Sequence, residues 1–527
     1  MHYLPTPVPV SFRCLALYHQ KKITQPTLKA DPEDVRQQVM NAVYDTLGTL
    51  PPRLLNTHTG SLYDRDALIS VFENSQQCKG LLSSVEIRPT TLHDDIHKTV
   101  SRYFKYATLS HRWGKNEPLI RHVQDQSIYK MSPTDGLVKL RAFCATTCDL
   151  GYLWGWSDTC CIDKSSSVEL ARAIASMFSW YRRSALTVVY LADVSSNGDM
   201  SNSAWFTRGW TLQELLAPRR VLFYTREWSL YKGLSSSNHK KNRAVLSELK
   251  SVTGIPPWSL TSFNPGMDDV RLRLQWASGR RTTEPEDIAY SLFGIFNVFL
   301  PIIPGEPAEN ALGRFLVEII SQSGDISVLD WVGKASSFHS CFPARITSYQ
   351  TTPCPRSTFN DSKLGRSMPG TQEPVDAQIQ LFKRLSMSDP PQFIGRQLRL
   401  SCIKHQVTAV WLQQEDLSAP QYMYKIEAEG LIPFDIILSS KLIVTDTPFP
   451  YVLIRPWHSR LLASSTRVRG TTASELDTML AQPFSALLLE EQSGNEYKRI
   501  ASSSLIIARP ADASSIFKSE VQTLNIV

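Results

Sequence analysis

The sequence predicts an α/β protein in which a sheet flanked by helices is followed by a helical region and a β-rich C-terminal domain. Three observations support this fold class. Short apolar runs alternate with amphipathic helical patterns over residues 52–225, helical spacing dominates residues 226–340, and strand-like runs fill residues 395–527. Residues 1–51 are expected to form a poorly structured or accessory extension, and residues 341–394 a loop- and linker-rich segment.

Four apolar runs within residues 52–225 predict the strands of the first sheet. The third run is β-branched and continuous, as expected of a strand that is buried on both faces. The runs are Tyr106–Ser110, Tyr152–Trp154, Leu186–Leu191 and Val221–Tyr224.

Helix starts between and after these strands are indicated by capping residues. Ser166 and Glu169 have the spacing of a capping box, in which the serine accepts from a backbone N–H and the glutamate reaches back. A shorter helix is predicted from Trp210 to Leu216, and a longer one begins within Thr283–Asp287, where a hydroxyl, an early proline and acidic residues favour a helix N-terminus. Apolar positions continue that last helix as far as Phe296.

Strand-like runs in the C-terminal domain are Ile403–Leu412, Leu431–Leu438, Lys441–Thr445 and Leu505–Ala508. No residue pattern in these runs indicates a particular chemistry.

Length and composition exclude several classes of protein. A chain of 527 residues suggests roughly three domains, and 42% hydrophobic with 20% charged residues excludes wholesale disorder. The net charge of +7 is too mild and too dispersed to indicate a nucleic-acid partner. The N-terminus lacks a secretory pattern, and the apolar stretch Ile288–Ile303 is shorter than a membrane span. We therefore expect a cytoplasmic protein with no membrane span.

Metal and nucleotide-hydrolysis motifs are absent from the sequence. The nine cysteines are irregularly spaced, and His93 and His97 have helical ligand spacing without a third ligand. We therefore expect reduced thiols and no metal site. The sequence contains no P-loop, nucleophile elbow or H-E-x-x-H motif, which argues against a P-loop NTPase, an α/β-hydrolase and a zincin.

Three segments, in this order, resemble the heterokaryon incompatibility (HET) domain of filamentous fungi. They are Tyr106–Gly114 (YATLSHRWG), Asp158–Lys164 (DTCCIDK) and Trp205–Leu215 (WFTRGWTLQEL). Flanking residues extend the resemblance over positions 52–300. One departure is the stretch Ile303–Pro307, where family members commonly carry Tyr-Gly-Glu-Gly.

HET domains are thought to be related to TIR domains, so the resemblance implies a TIR/flavodoxin-like sheet. Ser110-His111-Arg112 corresponds to the Ser-Phe-Arg-like loop of TIR domains. Trp210 and Glu214 keep the separation of the TIR sequence Trp-Cys-x-x-Glu-Leu, whose glutamate cleaves NAD in the enzymatic members. The resemblance therefore implies Glu214 as the candidate catalytic residue and NAD as the candidate substrate, with no cofactor required.

Four further residues are candidates for binding that substrate, since ligands of such sheets gather outside the carboxyl ends of the strands. Ser110, Arg112 and Trp113 lie at or just past the end of the first predicted strand, and Asp193 lies just past the third. Arg112 suits a phosphate and Trp113 a stacked ring. Loss of nicotinamide develops positive charge on ribose, which a carboxylate such as Glu214 stabilises, and the neutral ring needs no general acid.

Structural interpretations of the same residues remain open at this point. Glu214 is alternatively a solvated helix residue or a partner of Arg208 or Arg219, and Arg112 and Asp193 alternatively form an ion pair between two loops. Asp158 and Asp163 more simply cap the turn before the next helix.

The resemblance implies an incompatibility-type protein that triggers programmed cell death or innate-immune-like signalling on self-association, with NAD cleavage as one mechanism. A non-catalytic adaptor that acts through protein–protein interaction is the alternative. Protein partners or further copies of the chain are the expected partners under both. The C-terminal domain is a candidate recognition or restraining module.

Overall fold

A computed structural model describes residues 31–83, 89–353, 375–416, 421–443, 449–457, 479–512, 515 and 519–527. The chain divides into two compact units. The first is described over residues 31–48, 67–83 and 89–103, and the second comprises residues 49–66 and 104–527.

The first unit is helical. Residues 32–48, which the sequence placed in a poorly structured or accessory extension, form a regular helix whose buried side chains recur at helical spacing. This helix packs mainly against the last helix of the unit. The helices are α1 (Pro32–Gly48), most of α2 (Arg65–Glu73), α3 (Gln76–Ser83) and α4 (Pro89–Tyr103).

The second unit begins with a six-stranded sheet, which confirms the predicted α/β class. Its strands lie in the order β2-β1-β4-β3-β5-β6, and β3 to β6 are mutually parallel. Counted along the chain, these parallel strands follow the order second, first, third, fourth, which is the flavodoxin-like order. The strands are β1 (Leu54–Asn56), β2 (Leu62–Tyr63), β3 (Tyr106–His111), β4 (Trp154–Trp156), β5 (Leu186–Tyr190) and β6 (Val221–Tyr224).

Helices connect the parallel strands and cover the sheet. Val188 and Val189 of β5 are both inaccessible, so this strand is buried on both faces, as its sequence predicted. The second of the four predicted strands corresponds to β4, which starts two residues later than predicted, at Trp154. The helices of this region are α5 (Ile120–Val123), α6 (Asp135–Asp149), α7 (Ser167–Arg183) and α8 (Thr211–Leu216).

The predicted capping box before α7 is half correct. The hydroxyl of Ser166 accepts from the backbone N–H of Glu169 at 3.3 Å. The Glu169 carboxylate does not reach back, because it accepts from the backbone N–H of Asp163 at 2.8 Å and pairs with the guanidinium of Arg53. The long-range ion pair between Glu169 and Arg53 therefore takes the place of the second hydrogen bond of the box, while the serine cap remains.

Residues 226–340 contain mainly helices, but the helix predicted from Thr283 to Phe296 is two short ones. The acidic residues expected to stabilise its N-terminus are engaged elsewhere, since Glu286 accepts from the Gly305 N–H and Asp287 from the Trp210 indole. The helices are α9 (Arg243–Thr253), α10 (Pro257–Thr261), α11 (Val270–Ser278), α12 (Asp287–Tyr290), α13 (Phe293–Phe296) and α14 (Ala308–Ser323).

The C-terminal part is β-rich, as predicted. Five strands form a small closed barrel. Each strand pairs with the next in the order β8, β11, β13, β14, β16, and β16 pairs with β8 to close the ring. The second half of β8 continues past the barrel to pair with β9, which pairs with β10. The elements are α15 (Val375–Ser386), β7 (Gln392–Ile394), β8 (Gln397–Asp416), β9 (Gln421–Ala428), β10 (Phe434–Leu438), β11 (Tyr451–Pro456), β12 (Phe484–Ser485), β13 (Leu487–Glu491), β14 (Glu496–Ile500), β15 (Ile507–Ala508) and β16 (Glu520–Ile526).

The four strands predicted in this domain agree with the structure only in part. The run Ile403–Leu412 lies within β8, whereas the run from Leu431 becomes a strand only at Phe434. Lys441–Ile443 is not a strand, and the end of that predicted run lies outside the described residues. Only Ile507 and Ala508 of the last run are in a strand.

The predicted boundary between residues 340 and 341 falls inside a packed junction. The guanidinium of Arg499 on β14 donates to the carbonyls of Leu329, Trp331 and Cys341 at 2.9, 3.1 and 3.3 Å. His339 contacts the Ile526 carbonyl on β16 at 3.0 Å. Residues 329–341 therefore pack with the barrel. Residues 354–374 of the predicted linker lie outside the described part of the chain.

We predict that Gly136→Ala destabilises the loop after β3, on which the first turn of α6 rests. A Cβ at Gly136 would lie 2.6 Å from the Asn116 carbonyl oxygen and 2.8 Å from Glu117 Cα. The free energy of unfolding should fall by about 1–3 kcal/mol in urea titrations. Gly279→Ala is the control, because no neighbouring atom lies within 4 Å of its Cβ position. Equal effects of the two changes would contradict the prediction.

Candidate functional site

A cavity of about 700 Å³ opens beside the carboxyl ends of the parallel strands. The loops after β3 and β4 form one wall of the cavity. The first half of α7 forms a second wall, and the segment that leads into α8 forms a third. The remaining wall is formed by residues 282–287, 290, 302 and 304–308. A flavodoxin-like sheet places ligands in this position.

Glu214 of α8 lies in this cavity and is only 5% exposed. The hydroxyl of Ser110, near the end of β3, donates to Glu214 Oε2 at 2.5 Å, although the two residues are 104 positions apart. The same hydroxyl accepts from the indole N–H of Trp205 at 2.9 Å. Since the indole occupies an acceptor site of the serine, the serine proton is directed to the carboxyl group.

Burial raises the pKa of Glu214 to about 8, and the negative charge of Asp158 adds to this shift. The hydrogen bond from Ser110 and the charges of Arg208 and Arg280 oppose it. Glu214 is therefore mostly protonated at neutral pH in the free protein. The buried position also excludes the alternative that Glu214 is a solvated helix residue.

Two cations lie beside Trp113 at one side of the cavity. Lys164 Nζ is 3.4 Å from the centroid of the indole ring, and the Arg208 guanidinium is 4.8 Å from it. The indole N–H of Trp113 donates to Asp158 at 3.0 Å. Among the described residues, Lys164 Nζ has no hydrogen-bond partner although it is inaccessible, and burial lowers its pKa. A ligand that bears phosphate groups fits these charges.

A second carboxyl group faces the cavity from another wall. The indole N–H of Trp210 donates to Asp287 Oδ2 at 2.8 Å. Burial raises the pKa of Asp287 to about 6, and the neighbouring Glu286 and Glu284 contribute to that shift while Trp210 and Arg208 oppose it. Asp287 is therefore mostly ionised at neutral pH, in contrast to Glu214.

The loop that departs from the family pattern also lines the cavity. Gly305 has a φ of 77°, a conformation that glycine adopts readily. Its N–H donates to Glu286 at 2.7 Å. Glu306 is paired with Arg314 and accepts from the hydroxyl of Tyr290. Glu306 of this loop is therefore held in an ion pair with Arg314. The backbone N–H of Gly305 holds the carboxylate of Glu286.

The structure brings together three of the residues that the sequence singled out, namely Ser110, Trp113 and Glu214. Arg112 is exposed and does not line the cavity. Asp193 also lies outside the lining, where it accepts from the Ser203 hydroxyl at 2.6 Å and the Ala204 N–H at 2.7 Å. Asp193 therefore fixes the turn before α8, and these bonds take the place of the predicted alternative of a pair with Arg112.

Sequence reasoning missed Lys164, Arg208 and Asp287 as site residues. The first two lie in the segments Asp158–Lys164 and Trp205–Leu215 that carry the family resemblance, so their position in those segments was an available signal. Asp287 had been assigned only to a helix start. Asp163 accepts from the Ser165 N–H, as a turn-capping residue does, whereas Asp158 bonds Trp113 instead.

No cluster of three potential metal ligands occurs among the described residues. Within the same residues, no helix is both long and apolar enough to cross a bilayer.

Comparison with known proteins locates the family resemblance in the first sheet. Residues 106–201 match the family model described as heterokaryon incompatibility protein (HET). Over 240 residues the chain is 42% identical to vegetative incompatibility protein HET-E-1 of Podospora anserina, an alignment that covers 43% of this chain and 17% of that protein. The matched part is thus less than one fifth of the relative's length. No solved structure matches the chain.

Proposed function

From the HET domain that this chain carries, we infer that the protein is of the heterokaryon incompatibility type and acts by cleaving NAD. Self-association of the chain or binding of a protein partner is the event that we propose to start the reaction, and programmed cell death or innate-immune-like signalling is its consequence. The observation that supports NAD cleavage is the placement of Glu214, a buried carboxyl group in a cavity that is also lined by two cations, Lys164 and Arg208.

The proposed reaction breaks the bond between nicotinamide and C1′ of the ribose. The electron pair of that bond goes to the pyridine nitrogen, so nicotinamide leaves as a neutral molecule and positive charge develops on the sugar. Glu214 stabilises this charge as a carboxylate. Because a cationic ring beside it favours ionisation, binding of NAD should lower the pKa of Glu214 from its value of about 8 in the free protein.

The other residues of the cavity suit the rest of the substrate. Lys164 and Arg208 provide positive charge for the diphosphate, and a guanidinium can bind phosphate oxygens through two parallel hydrogen bonds. Trp113 lines the same region as an aromatic side chain, with the Lys164 ammonium over its ring. Ser110 acts as a positioning residue, because its hydroxyl donates to Oε2 of Glu214 and so orients the carboxyl group.

The test is release of nicotinamide from NAD by the full chain, assayed over a range of protein concentrations that spans its self-association. Glu214→Gln is expected to lower the rate about 100-fold or more, since the neutral amide cannot stabilise the developing charge. Glu491→Gln is the matched control, because Glu491 is an exposed carboxyl group on β13 and does not line the cavity.

Equal rates for the wild type and Glu214→Gln would remove Glu214 from the mechanism. A wild-type chain that leaves NAD intact at every concentration, while toxicity persists in Glu214→Gln, would favour the adaptor function instead. In that case surface changes that block self-association should abolish toxicity.

A further inference from the structure

We propose that Asp287 is a second catalytic residue of this cavity, which deprotonates the water that attacks C1′ once nicotinamide has left. The inference rests on the proposed NAD cleavage and specifies how that reaction ends. Glu214 stabilises the cationic sugar, but hydrolysis also needs a group that removes a proton from water. Asp287 suits that step because it lines the same cavity and is held there by the indole of Trp210.

The geometry fixes Asp287 relative to Glu214. Both side chains line the same cavity, on different walls. Trp210 directly precedes α8, which carries Glu214, and the N–H of Glu214 donates to the Trp210 carbonyl at 3.3 Å. The indole N–H of the same Trp210 binds Asp287 Oδ2 at 2.8 Å. One short segment therefore carries the first carboxyl group and orients the second.

Asp287 also has an oxygen available for water. The indole of Trp210 occupies Oδ2, and Oδ1 has no hydrogen-bond partner among the described residues. A carboxylate with one oxygen anchored and the other free is held in a single orientation without losing its capacity to accept a proton.

The charges around Asp287 make it a base at neutral pH. Burial raises its pKa to about 6, which leaves it ionised at pH 7 but basic enough to take a proton. Glu284 and Glu286 of its own segment raise the pKa further, and Arg208 of the facing segment lowers it. Glu306, the other acidic residue of this wall, is paired with Arg314. In the free protein the two carboxyl groups therefore differ in protonation at neutral pH, with Asp287 mostly ionised and Glu214 mostly protonated.

The bond between C1′ and the nicotinamide nitrogen breaks, and its electron pair stays with nicotinamide. A bond forms between the water oxygen and C1′, while one water proton passes to Asp287 Oδ1. The products are neutral nicotinamide and ADP-ribose with a hydroxyl at C1′. Asp287 then releases its proton to solvent, so that one water molecule is consumed for each NAD.

An exchange assay separates this role from a structural one. A substituted pyridine such as 3-acetylpyridine attacks the same sugar cation but has no proton to lose, so its reaction needs no base. In Asp287→Asn we expect ADP-ribose formation to fall about 100-fold, while exchange of nicotinamide for the added pyridine stays within about threefold of the wild type. Asp125→Asn, a change at an exposed carboxyl group outside the cavity, should alter neither rate.

The pH dependence of the wild type supplies a second measurement that does not require the variant to fold. The ratio of hydrolysis to exchange should fall as the pH drops through about 6, where Asp287 becomes protonated. Equal losses of hydrolysis and exchange in Asp287→Asn, or a pH-independent ratio in the wild type, would overturn the role of Asp287 and leave the proposed function intact. A wild-type chain that releases no nicotinamide overturns both.

Discussion

Arg499→Ala is expected to lower the free energy of unfolding by about 3–5 kcal/mol, because it removes three hydrogen bonds that a buried guanidinium donates to backbone carbonyls. Arg499 is 6% exposed, and its guanidinium donates to the carbonyls of Leu329, Trp331 and Cys341. It also lies 3.9 Å from the centroid of the Trp331 ring. Truncation therefore removes three hydrogen bonds and a cation–π contact from one buried site.

Urea unfolding of the full chain, followed by tryptophan fluorescence, measures this effect. Lys498→Ala is the matched control, since Lys498 is the exposed neighbour of Arg499 on β14. Arg499→Met keeps an apolar stem of similar length and separates the packing from the hydrogen bonds. A loss below about 1 kcal/mol in Arg499→Ala would show that water or the remaining protein donors satisfy the three carbonyls and that the junction contributes little.

The same junction bears on the proposed restraining role of the C-terminal domain. A chain that ends at residue 340 would lose Cys341, Phe342 and Tyr349, which are all fully buried. It would also lose the Tyr349 carbonyl, to which Arg271 of α11 donates at 3.0 Å. Changes at Arg499 therefore test the link between the two regions with less damage to the core than a deletion.

Local patterns in the sequence predicted the four parallel strands of the first sheet but not β1 or β2. A continuous β-branched run is sufficient for a strand that is buried on both faces, and β5 appeared where the run predicted it. A serine three residues before a glutamate predicted the start of α7, because the serine cap depends only on its own neighbours. The family resemblance added the candidate carboxyl group at Glu214, which a pattern of apolar residues does not identify.

Polar contacts between distant segments could not be predicted in this way. Trp210 and Asp287 are 77 positions apart, and Arg499 and Trp331 are 168 positions apart. The residues around Asp287 do not show whether its side chain caps its own helix or accepts a hydrogen bond from a distant indole. The long helix predicted there was therefore wrong. Arg112 was chosen as the phosphate ligand because it follows a strand end, yet its side chain is exposed while Lys164 and Arg208 line the cavity.

The wild-type protein should lose stability relative to Glu214→Gln as the pH rises from about 4.5 to about 8. Burial raises the pKa of Glu214 in the folded state above its ordinary value, so the folded protein binds a proton that the unfolded chain releases. The stabilisation is complete below the unfolded pKa and is lost as the pH passes through the folded pKa. The total change should be up to about 5 kcal/mol, and the difference between the two proteins should level off above pH 8.

The difference between the two proteins, measured by urea unfolding at each pH, isolates Glu214 from other buried groups. Burial lowers the pKa of Lys240 to about 7, so this lysine adds stability as the pH rises from 7 towards its ordinary value, and it contributes equally to both proteins. Glu491→Gln shows the effect of the same charge removal at an exposed position. If the difference between wild type and Glu214→Gln does not change between pH 5 and 8, then Glu214 is ionised in the free protein. In that case the proposed ionisation of Glu214 on binding NAD has no basis.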